Sequence, residues 1–129
     1  MLDIKYVRDN QAAVAEAMEN RHASWDAARF SELDETRRAA IGSSFAQAAE
    51  RNAASKSIGA MMGAGQKDEA EAAKERVRAI NDELAVIGKE REAADEALRD
   101  LLLATPNMPA DSTPVGASED DNPEVRRWG

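Results

Sequence analysis

Over most of this chain apolar side chains return at steps of three and four, the spacing that gathers them on one face of a helix. The cleanest run lies in the second half. Val77, Leu84, Arg91 and Leu98 form one row spaced by seven, and Ala73, Ile80, Ile87, Ala94 and Leu101 form the other. Two rows related by alternating steps of three and four make a coiled-coil seam. A matching row runs earlier through Phe30, Leu33, Arg37, Ala40, Ser44, Gln47, Arg51, Ala54, Ile58 and Met61. Between the two lies GAGQ, Gly63 to Gln66. Two glycines separated by one residue end a helix in a left-handed cap and reverse the chain. Asp68 and Glu69 then place negative charge in a new first turn. The pattern predicts a helix from Trp25 to about Met62, roughly 55 Å long, and a second running to about Ala104, where TPNMP stops it. The two would pack antiparallel across the glycine turn.

The seam is uneven. Its middle on the first helix is polar, and the step of eight from Leu33 to Ile41 predicts a stutter, with Ile41 and Phe45 just off the row. An arm that buries little at mid-length is expected to bend and fray more easily toward its tip than at its base. Ahead of the arm, Asp3 is placed to cap a helix through about Arg8. Asn10 is placed to cap a second, in which Val14, Ala17, Met18 and Arg21 share a face. Behind the arm, Pro123 holds Asn122 extended, and Val125 and Trp128 favour strand geometry. The fold class read from these patterns is all-α: short helices over 1–24 as a base, a long antiparallel two-helix coiled-coil hairpin over 25–104 with its turn at 63–66, and an extended C-terminal tail over 105–129.

Composition narrows the possibilities. Five aromatics in 129 residues, with alanine supplying much of the apolar fraction, rule against a deep globular core. With no cysteine, disulfides and thiolate metal sites are excluded. The opening MLDIKYVRDN alternates apolar and charged residues and lacks the continuous apolar run of a signal peptide or membrane span, so a cytoplasmic protein with no membrane partner is expected. The net charge is −8. Residues 1–24 carry 3 basic and 4 acidic groups, 25–62 carry 5 and 5, 63–104 carry 7 and 11, and 105–129 carry 2 and 5. A nucleic-acid role must therefore come from a local arrangement of cations rather than from a general basic field.

Several strings go beyond periodicity. MLDIKYVRDN at the start, LDETRR at Leu33 to Arg38, ERNAASKSIG at Glu50 to Gly59, NMPADSTPVG at Asn107 to Gly116 and DDNPEVRRWG at Asp120 to Gly129 occur in this order. Together they closely resemble the N-terminal region of bacterial-type seryl-tRNA synthetase. The resemblance implies a tRNA-binding domain whose arm grips serine tRNA, mainly through its long variable arm and elbow. It implies that NPEVRRWG connects to a class II catalytic domain outside these residues, which uses ATP with Mg to attach serine. It also implies a homodimeric parent enzyme, and a fragment without catalytic activity or a cofactor of its own. One departure stands out: the family more often carries larger aliphatics where Ser44, Gln47 and the alanine-rich run 46–49 stand here, so a softer arm is expected.

The residues themselves fit such a role. Double-stranded RNA is read by shape, phosphates and 2′-hydroxyls. The candidate tRNA-binding residues on the first arm helix are Arg38, Arg51, Asn52, Ser55 and Lys56. Across the turn they are Lys67, Lys74, Arg76 and Arg78, with Glu69, Glu71 and Glu75 among them. For each cation the competing expectation is a solvated face or an interhelical ion pair. The alternative for the whole chain is a free-standing coiled-coil hairpin, an adaptor or holdase in the manner of a prefoldin subunit, indifferent to RNA.

Other features carry less. His22 is the sole histidine and is expected in a helix-terminal loop. Met61 and Met62 are expected to pack the turn. Gly59, Gly63 and Gly65 lack the Gly-Lys-Ser/Thr of a phosphate loop. Trp25 is expected at the base of the arm, and Trp128 on the catalytic domain. Glu92 and Glu96 have ordinary helix-surface spacing, with no cleft to make either an acid or a base.

Overall fold

The computed structural model describes all 129 residues, Met1–Gly129, and is all-helical with no strand. Its elements are α1 (Ile4–Asp9), α2 (Gln11–Asn20), α3 (Ala27–Gly63), α4 (Lys67–Ala104) and a short 3-10 turn, η1 (Glu119–Asp121). The chain forms two compact units, one of Met1–Ser31 with Leu98–Gly129, the other of Glu32–Ala97.

In the first unit each helix end has an identifiable cause. The Asp3 carboxylate accepts from the Tyr6 backbone N–H at 2.8 Å and starts α1. Asn10 stands at the N-cap position of α2, but its side chain does not cap it. The Asn10 amide instead donates to the Tyr6 carbonyl at 2.9 Å, closing α1 from behind. Helices α1 and α2 abut so closely that one side chain serves the end with the orphaned carbonyl. Helix α2 ends in a Schellman motif: Ala23 N–H bonds the Met18 carbonyl at 2.9 Å and His22 N–H the Glu19 carbonyl at 3.0 Å. The left-handed position is His22 itself, at φ 51° and exposed. Asp26 Oδ1 accepts from Arg29 N–H at 2.8 Å and starts α3, two residues later than the pattern suggests.

The core of this unit gathers Leu2, Val7, Val14, Ala17, Met18, Phe30, Leu98 and Leu102. Trp25 is half-buried and lies against Phe30, with ring centroids 5.7 Å apart. Arg21, predicted on the inner face of α2, is exposed, and its guanidinium donates to the Asn107 carbonyl at 2.6 Å. That contact ties α2 to the chain following α4.

The tail is less extended than predicted. Ser118 caps η1, and Asp121 Oδ2 accepts from Ala117 N–H at 2.7 Å and Ser118 N–H at 3.2 Å. A Cβ on Gly116 would stand 2.4 Å from the Asp121 Cβ, so this turn requires glycine. Beyond it Asn122 is extended at φ −74°, ψ 124°, as Pro123 demands, but no partner strand receives Val125 or Trp128. Arg127 grips Glu124 through two N–H groups, both at 2.8 Å, holding that carboxyl below its usual range.

The second unit is the two-helix arm. Every position of the α3 row from Leu33 to Met61 is at least half-buried. The strict three-four alternation therefore runs on without the predicted stutter. Ile41 is half-buried beside the row, and Phe45 points to solvent. Turning Phe45 inward would turn Gln47 away from α4, and Gln47 Nε2 bonds the Glu83 carboxylate. On α4, Ala73, Val77, Ile80, Leu84, Ile87 and Ala94 face inward, and Arg91 is exposed although it stands in the row. Burial is thin, as the composition implies: Leu33, Asp34, Ala40, Ala70, Ile80 and Ala94 are fully buried, and of these only Ile80 is both large and completely enclosed. Polar links supplement the seam. Arg37 pairs with Asp95, Arg91 reaches the same carboxylate at 3.4 Å, and Arg76 bonds Glu50 at 2.7 Å and lies 3.7 Å from Glu83. At the tip Gly65 takes the left-handed position at φ 80°. Gln66 N–H bonds the Met61 carbonyl at 2.9 Å and Gly65 N–H the Met62 carbonyl at 3.2 Å, a second Schellman motif, while Gly63 remains helical.

Candidate nucleic-acid interface

The seam fixes which side chains share a side of the arm. On α3, Arg38, Phe45 and Asn52 are seven apart and form one column, and Ile41, Ala48 and Ser55 form the column between it and the seam. On α4, Lys67 and Lys74 occupy the equivalent inner column and Arg78 the outer one. In an antiparallel pair these columns lie on the same side. Arg38, Asn52, Ser55, Lys67, Lys74 and Arg78 therefore share one side, with Arg51 on the seam beside them. Lys56 stands on the back of α3. Arg76 stands on the opposite flank, and its ion pair with Glu50 marks that flank.

Availability differs among these residues. Arg38, Ser55, Lys56, Lys67 and Arg78 are exposed. Asn52 is exposed and accepts from the half-buried Arg51 guanidinium at 3.3 Å. Lys74 is half-buried and paired with Glu71 at 3.1 Å, one turn away on its own helix. Arg76 is committed across the arm. Arg76 thus forms the interhelical ion pair that was the competing expectation, whereas the Lys74 pair lies within its own helix, which neither expectation included. No cluster of three or more His, Cys, Asp or Glu able to hold a metal ion occurs, and no helix is long and apolar enough to cross a membrane.

Phe45 is a feature that periodicity alone leaves aside. It is 75% exposed, and it borders a cleft of about 350 Å³ between α3 and α4 lined also by Ile41, Ser44, Ala48, Arg51, Leu84 and Arg91. The signal is present in the sequence: among the large apolar residues of the first arm helix, Phe45 stands farthest from the seam row without a structural reason to be there.

The order of columns, turn and tail can be compared with known proteins. The model of the seryl-tRNA synthetase N-terminal domain matches residues 1–109. This chain belongs to that family. The chain is 42% identical over all 129 residues to the serine–tRNA ligase of Neisseria meningitidis serogroup C (strain 053442). It is 43% identical over the same length to that of Paracoccus denitrificans (strain Pd 1222). It is 42% identical to that of Nitratidesulfovibrio vulgaris (strain DSM 19637 / Miyazaki F). In each case it spans 30% of the relative's length. The matched residues include the whole arm and the Gly65 turn, so the side chains placed above stand on the family's own scaffold.

Proposed function

We propose that this domain is the tRNA-binding arm of a serine–tRNA ligase. The arm grips the long variable arm and elbow of serine tRNA, so that a class II catalytic domain in the remainder of the enzyme attaches serine using ATP and Mg. The observation that carries this reading is the side of the hairpin on which Arg38, Asn52, Ser55, Lys67 and Arg78 stand exposed at helical intervals. Such a row offers guanidinium, ammonium, amide and hydroxyl donors to phosphates and 2′-hydroxyls along an RNA groove. Membership of the family, and the names of the relatives, support the choice of serine tRNA over RNA in general. On this reading the 129 residues have no catalysis of their own. Serine and ATP bind elsewhere in a cytoplasmic, homodimeric enzyme, and the exposed Val125 and Trp128 contact its catalytic domain. The Arg126 guanidinium, 4.5 Å from the Trp128 ring centroid, holds that ring in an orientation available for docking.

The test is titration of this domain against serine tRNA at low salt, beside the same tRNA without its long variable arm. The intact tRNA is expected to bind more tightly, and Arg38→Ala with Arg78→Ala to weaken it. Equal binding to both tRNAs would refute recognition of the variable arm. An Arg76→Ala change probes the opposite flank and is expected to alter arm stability more than RNA affinity.

A further inference from the structure

We propose that the cleft beside Phe45 is a stacking site for a single nucleobase, with Arg51 and Arg91 placed to hold the attached phosphates. The inference rests on the RNA-binding reading above and specifies which part of the RNA the middle of the arm would meet. The cleft lining is mostly apolar, with Ile41, Ala48 and Leu84 beside Ser44, and Phe45 borders it largely in solvent. An aromatic ring beside a mostly apolar lining matches the face of a base that is not stacked in a helix. Charge points the same way. Arg51 and Arg91 line the cleft and no carboxylate does, in a chain whose net charge is −8. Arg91 is 3.4 Å from Asp95, a carboxylate that Arg37 also engages. Arg38 and Asn52 lie one heptad to either side of Phe45 in the same column, where they can meet the neighbouring backbone.

A second copy of the chain fits this surface less well. Two copies joined through it by a two-fold axis would set Arg51 and Arg91 against Arg51 and Arg91, and like charges facing each other oppose association. A nucleotide presents an apolar face and a negative charge together, which is what the cleft complements.

The experiment measures affinity for serine tRNA across a salt series with the unchanged domain, Phe45→Ala, Phe45→Trp, and Arg51→Ala with Arg91→Ala. Sedimentation is run on each protein alone. Phe45 is exposed, so its replacement leaves helicity unchanged, which circular dichroism checks. Removing one stacked base is expected to weaken binding about 5- to 100-fold with the salt slope unchanged, and Phe45→Trp to restore it. The double cation change is expected to lower the slope by about one for each phosphate that is no longer neutralised. Affinity of Phe45→Ala equal to that of the unchanged domain would overturn the stacking site and leave the RNA-binding reading standing. A Phe45-dependent dimer in sedimentation would overturn it in favour of self-association. Absence of binding by the unchanged domain would overturn both readings.

Discussion

Ile80 is the test of how the arm holds together. Within the Glu32–Ala97 unit it alone is large and fully enclosed. Ile80→Ala removes three carbons, and at about 0.8 kcal/mol for each buried methylene the forfeited transfer energy is about 2.4 kcal/mol. In a deep core a cavity term would raise the cost toward about 5 kcal/mol. Here two helices meet along one seam and can close on the smaller side chain, which keeps the expected cost at about 2–3 kcal/mol. With a urea slope of about 1–3 kcal/mol/M the midpoint should fall by roughly 0.7–3 M. Urea denaturation followed by circular dichroism measures the total, and hydrogen exchange locates it. Protection should fall most in peptides covering 47–61 and 70–87, while the Leu2, Val7 and Val14 region keeps its own. Leu84→Ala, at a half-buried position, should cost about half as much. A cost for Ile80→Ala below about 1 kcal/mol, or an even drop in protection along the whole chain, would show that the arm is not held by its seam at this level.

Three further outcomes follow from the same geometry. Ser44→Leu places an aliphatic side chain at a half-buried seam position bordering the cleft and should stabilise the arm by about 1 kcal/mol, read from the thermal midpoint. His22→Gly relieves a left-handed backbone at φ 51° and should raise stability by up to about 1 kcal/mol, whereas Gly65→Ala at φ 80° should lower it by about the same; matched unfolding curves would expose an error in either sign. The Lys5 ammonium, 2.6 Å from Asp9, holds that carboxyl below its usual range and is itself raised. The depressed carboxyl contributes stability above the ordinary carboxylate pKa that is lost as pH falls through its folded value, so Lys5→Gln should flatten the acid limb of a helicity titration.

Helix length is legible in the sequence because no proline falls between Trp25 and Ala104, whereas the register through 33–52 is not, although every seam position there keeps one spacing. Even Ser44, Gln47 and Arg51 keep the register without aliphatic side chains. The stutter suggests itself because Ile41 and Phe45 are more apolar than their neighbours, yet burial along a two-helix seam follows helical geometry before it follows hydrophobicity. The role of Asn10 is hidden for another reason: sequence shows that an asparagine stands between two helices, and not which helix end lacks a partner. The cations of the candidate interface are visible as residue types. Which of them are engaged is not: the Arg76 pairing with Glu50 spans 26 residues and exists only once the helices are in register. The Phe45 cleft needs the same register before Leu84 and Arg91 can be placed in its lining.

Arg76 gives the arm a built-in competitor. Glu50 already binds its guanidinium and Glu83 lies 3.7 Å away, so a polyanion competes with two tethered carboxylates for it. Added salt then acts in two directions at once: it screens attraction to the open cations, and it loosens the internal pair that keeps Arg76 out of reach. An arm built this way discriminates against nonspecific anions on one flank, and leaves the other to whatever partner matches its spacing.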